Sequence, residues 1–276
     1  MRLSLGFSPC PNDTFIFDAM VNGKVDTEGL TFNYVLEDVE TLNNWAVSEK
    51  LDITKLSYNA FLHLTDYYGL LDSGSALGKG VGPLLVAKDE LSLDDLSSYK
   101  IAIPGVRTTA NLLFTLAFPS VINKHEVLFS DIEDSVLNGK YDAGLVIHES
   151  RFTYAARGLK KLMDMGDWWE STTKAPIPLG GIAIRRTLDD AITYKADRII
   201  KRSLEYAWAR YPLLPDFVVN NAQEMSEEVM RSHIKLYVND YTYDLGSDGK
   251  RAVETLFSEA KKAGLVDASA GSLIFR

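Results

Sequence analysis

The sequence contains a single cysteine, Cys10, among 276 residues. One cysteine excludes an intrachain disulfide framework and is typical of a protein from a reducing compartment. Residues 1–7 lack the apolar segment and the small-residue cleavage site of a secretory signal. No uninterrupted apolar run approaches the roughly 20 residues that a membrane span requires. We therefore expect a cytoplasmic protein without a membrane partner.

An excess of positive charge is also missing. The 29 basic residues are outnumbered by 38 acidic ones, which gives a formal net charge of −9. This balance argues against a nucleic-acid partner, for which a basic face is expected. It leaves room for an anionic small-molecule substrate, because a local pocket can oppose the overall charge. The hydrophobic fraction of 46% is that of an ordinary globular chain of one large or two smaller domains.

Signals for a metal or a nucleotide are absent as well. The four histidines, His63, His125, His148 and His233, show no paired metal-ligand spacing. The sequence has neither a Walker A loop nor a dinucleotide-binding fingerprint. We therefore expect a protein that works without a metal or another cofactor.

Hydrophobic periodicity predicts the same βαβαβ unit twice. In the first copy we expect strands at 2–7, 30–36 and 51–56, with helices at 13–21 and 39–48 between them. In the second copy we expect strands at 100–103, 126–129 and 141–147, with helices at 109–118 and 131–137. Two unrelated α/β halves would give a similar pattern.

Two such units predict an α/β fold with two lobes, a central cleft and two hinge crossings. Glycine-preceded strands at 82–87 and 180–184 are the expected crossings. The larger lobe then comprises residues 1–87 and 180–276, and the smaller, inserted lobe comprises residues 88–179. Helices in the C-terminal part, including 226–239 and 250–263, are expected to pack on the larger lobe.

Polar residues follow both closing strands, where ligands bind in open α/β sheets. His148 ends the second unit, and its ordinary pKa suits it to act as a general base. A strand-end histidine that only hydrogen-bonds a nearby loop would give the same pattern. Arg151 could orient the imidazole or the substrate, or it could be a solvated surface charge.

Helix starts supply two further candidate sites. Thr108, Thr109 and Ala110 open a helix, whose free N–H groups and dipole would favour an anion; an ordinary N-cap is the alternative. Ser8 and Asn12 pose the same choice in the first unit. Cys10 lies beside that helix start and could be a nucleophile, but a small buried thiol is the simpler interpretation.

Four segments together resemble the 1,4-dihydroxy-6-naphthoate synthase family, of the futalosine route to menaquinone. They are residues 8–15 (SPCPNDTF), 54–58 (TKLSY), 80–84 (GVGPL) and 147–154 (IHESRFTY). The resemblance extends from about Leu5 to beyond Phe257. It implies a fold like that of type II periplasmic binding proteins. It also implies conversion of cyclic dehypoxanthine futalosine into 1,4-dihydroxy-6-naphthoate, with release of a sugar-derived fragment.

The resemblance also implies residue roles. His148 matches the proton acceptor of the family, and substrate-contacting positions match Lys55, Leu56 and Ser57 in one lobe and Thr109 with Ala110 in the other. A solute-binding protein, the chorismate dehydratase of the same pathway and a ligand-sensing domain are the alternatives. The sequence gives no indication of the oligomeric state.

Overall fold

The structure is a computed structural model that describes residues 1–223 and 226–266. Its strands are β1 (Arg2–Phe7), β2 (Thr31–Leu36), β3 (Ile53–Ser57), β4 (Tyr68–Leu70), β5 (Ala76–Gly78), β6 (Leu84–Ala87), β7 (Ile101–Ile103), β8 (Lys124–Glu126), β9 (Ala143–Val146), β10 (Lys160–Asp164) and β11 (Ile177–Arg185). Its helices are α1 (Pro11–Val21), α2 (Val39–Val47), α3 (Tyr58–Leu62), α4 (Thr109–Ala117), α5 (Ile132–Leu137), α6 (Ser150–Thr153), α7 (Met165–Thr173), α8 (Asp190–Trp208), α9 (Asp216–Asn221), α10 (Glu227–Tyr237), α11 (Asp240–Tyr243) and α12 (Gly246–Lys262).

The strands form two sheets. The first has the order β2-β1-β3-β11-β4, and β5 also pairs with β11. Its strands β1, β2 and β3 are parallel, whereas β11 runs antiparallel to β3. The second sheet has the order β10-β6-β9-β7-β8, with β7 parallel to both β8 and β9. Each sheet therefore contains one of the predicted βαβαβ units.

The predicted elements agree closely with the structure where a strand or helix is bounded by turn residues. The strand at 2–7 has the predicted bounds, and α2 and α4 each end one residue early. The second strand of the second unit is an exception, because β8 lies at Lys124–Glu126 rather than at 126–129. Phe129 instead begins a short 3₁₀ turn that leads into α5.

Both expected crossing strands lie within a sheet. Residues 180–184 are part of β11, which pairs antiparallel with β3 in the first sheet. Residues 84–87 form β6, which pairs antiparallel with β9 and β10 in the second sheet. An apolar strand buried on both faces gives no sequence signal of which sheet it joins. By sheet membership, the chain passes from the first sheet to the second through residues 79–83 and returns through residues 165–176, which include α7. Of the inserted-lobe range 88–179, residues 177–179 belong to β11 of the first sheet. Residues 224–225 and 267–276 of the predicted larger lobe lie outside the described residues.

The C-terminal helices bury α1. Ten of the eleven residues of α1 are buried, because α8, α9 and α10 pack around it. A helix enclosed on all sides is expected to be apolar, yet α1 carries Asn12 and Asp13 in its first turn. Helix α12 contacts both β11 and α4, so it bridges the two sheets. None of the helices within the described residues is long and apolar enough to cross a membrane.

Residues 79–83, the first crossing between the sheets, contact the start of α7 through backbone atoms. A Cβ atom added to Gly82 would lie 2.2 Å from the amide nitrogen of Gly166. The amide of Met165 donates a hydrogen bond of 2.9 Å to the carbonyl oxygen of Pro83 beside it. Glycine is therefore needed at position 82 because the chains approach too closely for any side chain.

We expect Gly82→Ala to lower the free energy of unfolding by about 1–3 kcal/mol, since the added methyl meets backbone that cannot rotate away. Urea unfolding followed by circular dichroism would measure the loss. Gly78→Ala is the matched control, because its Cβ would meet only side-chain atoms, at 3.2 Å or more. Equal midpoints for the two variants would contradict the close approach.

Candidate active site

A cavity of ≈ 650 Å³, including its open mouth, lies between the two sheets. Its walls come from the ends of β3 and β9, the start of α4, the first crossing, β11 and α10. The lining residues are Ser8, Asn12, Asp13, Val39, Lys55, Leu56, Ser57, Ala76, Val81, Pro83, Thr108, Thr109, Ala110, Ile147, His148, Leu179, Gly180, His233 and Tyr237.

His148 follows β9 with a backbone φ of 56°. This left-handed conformation is uncommon for a residue with a side chain and tends to occur at functional sites. The ring of His148 is half-buried, and the ring of Phe129 contacts it edge to face at a centroid distance of 5.0 Å. Within residues 1–223 and 226–266, no side chain or carbonyl hydrogen-bonds to either ring nitrogen. Both nitrogens are therefore available to a ligand.

Burial lowers the pKa of His148 from 6.5 to about 4. The negative charges of Asp13 and Asp38 act in the opposite direction, and the positive charge of Lys55 reinforces the decrease. Desolvation dominates because the imidazolium loses its hydration in the cavity wall. His148 is consequently neutral at neutral pH, with a lone pair able to accept a proton.

A buried ion pair lies beside the histidine. Lys55 Nζ is 2.9 Å from Asp13 Oδ1, and the two side chains are 7% and 1% exposed. The backbone N–H and hydroxyl of Ser8 donate to Asp13 Oδ2, and Asn12 Nδ2 donates to Asp13 Oδ1. The carboxylate thus accepts four hydrogen bonds, which is what stabilises a charge away from water.

The threonines at the start of α4 have their hydroxyls engaged within the protein. Thr108 Oγ1 accepts from the amide of Asn111, so Thr108 is an N-cap. Thr109 Oγ1 donates to the carbonyl of Leu179 at 2.6 Å. The amide N–H groups of Thr109 and Ala110 have no acceptor within the described chain. An anion at this helix start would therefore be bound by backbone N–H groups.

The loop before α4 also joins the two sheets. The side chain of Asn59 donates to the carbonyls of Val106 and Thr108, each at 3.2 Å. The amide of Arg107 donates to Glu40 Oε1 at 3.0 Å. Glu40 lies in α2 and Asn59 in α3, the helices before and after β3 of the first sheet, whereas residues 106–108 follow β7 of the second sheet. These hydrogen bonds hold the two lobes together at one edge of the cleft.

The other predicted residues divide between the cavity and its surroundings. Leu56 and Ser57 line the cavity, and the amide of Ser57 donates to Asn43 Oδ1. Arg151 does not line it, because its guanidinium pairs with Asp164 at 2.6 Å and donates to the carbonyl of Gly82. The guanidinium of Arg151 therefore stabilises the first crossing at Gly82 and does not face a substrate in the cavity.

Cys10 is a buried thiol whose pKa burial raises well above its usual value. A protonated thiol is a poor nucleophile and a poor metal ligand. Its sulfur, a ring nitrogen of His148 and a carboxylate oxygen of Glu149 lie within 4.8 Å of one another. A divalent metal bound by this group would have to displace the thiol proton.

Sequence reasoning missed His233 as a site residue. It lies on α10, is 0% exposed and lines the cavity, where Nε2 is 2.9 Å from Asn12 Oδ1. The one available signal was its position among Met230, Ile234 and Tyr237, where the helix pattern calls for an apolar residue.

Residues 3–262 match the sequence profile of a protein family described as menaquinone biosynthesis. A protein of Thermus thermophilus named 1,4-dihydroxy-6-naphtoate synthase is 46% identical over 263 residues, 95% of each chain. A protein of Streptomyces coelicolor with the same name is 42% identical over 272 residues, 96% of this chain and 95% of that one.

A solved structure from Candida albicans, described as having the generic periplasmic binding protein fold, superposes with a TM-score of 0.72. It covers 98% of this chain and 92% of its own at 16% identity. At that identity the likeness establishes the fold alone. The predicted two-lobed periplasmic-binding-protein fold is confirmed.

We expect an NMR titration of the imidazole protons to place the pKa of His148 near 4 in the free protein, because burial disfavours the imidazolium. The His148→Asn variant assigns the resonance by its loss. Since a lowered pKa means that the neutral form persists, His148 should remain a competent base until the pH falls through about 4. A midpoint near 6.5 would contradict a desolvated ring.

Proposed function

The chain belongs to the menaquinone biosynthesis family, and we propose that it converts cyclic dehypoxanthine futalosine into 1,4-dihydroxy-6-naphthoate with His148 as general base. The two relatives that carry the synthase name match nearly the whole chain, which supports this reaction. The observation that carries the assignment of the base is the neutral imidazole at the cavity wall with both ring nitrogens available.

The reaction is a carbon–carbon bond cleavage, so we propose a lyase. The substrate loses a proton to His148, the sugar-derived fragment leaves, and formation of the second aromatic ring supplies driving force. A positioned base contributes about 10²–10⁴-fold in rate. The remainder of the acceleration comes from holding the substrate rigidly in the closed cleft and from excluding water.

The substrate carboxylate binds at the start of α4 in this proposal. The amide N–H groups of Thr109 and Ala110 offer two donors, and the helix dipole adds a favourable field. The start of α1 is less suitable, because Asp13 places a negative charge there. Lys55 adds little net attraction, since its charge is paired with that carboxylate.

The test is to mix the purified protein with cyclic dehypoxanthine futalosine and to follow naphthoate formation by absorbance and mass. We expect turnover by the wild type. His148→Asn should lower kcat by about 10²–10⁴-fold and leave substrate binding, measured by calorimetry, nearly unchanged, because it removes the base and keeps the cavity.

His125→Asn is the matched control, since His125 is an exposed histidine on β8 outside the cavity. It should retain wild-type kinetics. Loss of binding in His148→Asn would overturn the base assignment. Tight binding by the wild type without any product would instead indicate a solute-binding protein on the same fold.

A further inference from the structure

His233 has one ring nitrogen that the protein does not use. Its Nε2 is engaged with Asn12, whereas its Nδ1 is buried and has no hydrogen-bond partner within the described residues. A buried polar atom left unpaired destabilises the folded protein, because it has lost its hydrogen bonds to water without replacement. His233 lines the cavity, and an unpaired buried atom on such a residue is the kind of exception that function explains.

The hydrogen-bond chain determines which nitrogen carries the proton. A carboxylate only accepts, so the amide group of Asn12 must direct Nδ2 at Asp13, at 2.8 Å. Its Oδ1 then faces His233 and accepts from Nε2–H. His233 is therefore the Nε2–H tautomer, and its Nδ1 is a lone-pair acceptor.

The charge of the ring is determined by the same surroundings. Burial lowers the pKa of His233 well below 6.5, and the nearby His148 and Lys55 lower it further. The rings of His148 and His233 are nearly parallel, with planes 13° apart and centroids separated by 6.2 Å. Only one of the two can carry a positive charge at modest cost, so His233 stays neutral when His148 accepts a proton.

We propose that Nδ1 of His233 accepts a hydrogen bond from a hydroxyl group of the sugar-derived part of the substrate. This inference rests on the proposed function and extends it from the reacting proton to recognition of the departing fragment. The α4 end of the cavity offers donors for a carboxylate, whereas His233 offers an acceptor for a hydroxyl. His233 lines the cavity but is 0% exposed, so a hydroxyl reaches Nδ1 only when the cavity wall shifts as the substrate binds.

Two substitutions separate recognition from structure. In His233→Gln the side-chain amide can reach the place of Nε2 and keep the bond to Asn12, but no acceptor remains at the place of Nδ1. In His233→Asn the shorter side chain can put its oxygen at the place of Nδ1 while the bond to Asn12 is lost. A purely structural role for His233 would make His233→Gln the milder change.

We expect His233→Gln to lower kcat/KM for the full substrate by about tenfold or more, which is the effect of one lost hydrogen bond of ~1.4 kcal/mol. The companion measurement uses substrate analogues that each lack one hydroxyl of the sugar-derived part. For one of these analogues, kcat/KM of the wild type should be lower than for the full substrate by a similar factor. For His233→Gln, kcat/KM should be nearly the same with that analogue as with the full substrate. His233→Asn should retain part of the wild-type discrimination, and thermal unfolding checks that both variants are folded.

If every analogue lowers kcat/KM by the same factor in the wild type and in His233→Gln, the assignment of Nδ1 is overturned. The proposed function stays intact in that case as long as the wild type converts the full substrate. If His233→Gln does not fold, the test is whether His233→Asn still discriminates between the full substrate and the analogue that lacks the hydroxyl. No discrimination by a folded His233→Asn overturns the inference. A wild-type protein that neither binds nor converts the substrate overturns both.

Discussion

The buried ion pair between Lys55 and Asp13 connects the parts of this molecule that form the site. Lys55 belongs to β3, and Asp13 joins the end of β1 to the first turn of α1 through Ser8. Through Asn12 the same carboxylate reaches His233 on α10. Removing one partner of such a buried pair typically costs 3–5 kcal/mol, because the other charge is left without compensation. This network explains why the enclosed helix α1 contains polar residues. An apolar residue in place of Asn12 or Asp13 would break the chain of hydrogen bonds between Lys55 and His233.

The two histidines of the cavity have different environments and, in our proposals, different tasks. His148 itself has a left-handed backbone conformation, just after the end of β9, and its ring nitrogens are available to a ligand. His233 is held by Asn12 in one tautomer and is buried among aromatic rings, with Tyr237 at a centroid distance of 4.6 Å. Burial lowers the pKa of both, so a neutral pair faces the substrate. The protein thus offers two basic groups without adding a positive charge to that of the buried Lys55, which is paired with Asp13.

The sequence was most informative where structure is local. The end of β9 two residues before His148 and the helix start at Thr108 follow from hydrophobic runs that stop at polar residues, and the structure has both. The position of β6 was not predictable, because an apolar strand can pair in either sheet until its partners are known. Arg151 and His233 show the same limit for side chains. Whether an arginine meets a substrate or Asp164, and whether a helical histidine meets a cavity, depends on contacts between distant segments.

The loop at residues 106–108 combines a contact between the lobes with a candidate ligand site. Its carbonyls accept hydrogen bonds from Asn59 across the cleft, and the helix start that follows it presents two unused N–H groups to the cavity. A ligand bound to those N–H groups and the contacts that close the cleft therefore share one short segment of backbone. An anion that bound these N–H groups more tightly when Asn59 holds the loop would stabilise that contact between the lobes by the difference in its affinity for the two arrangements.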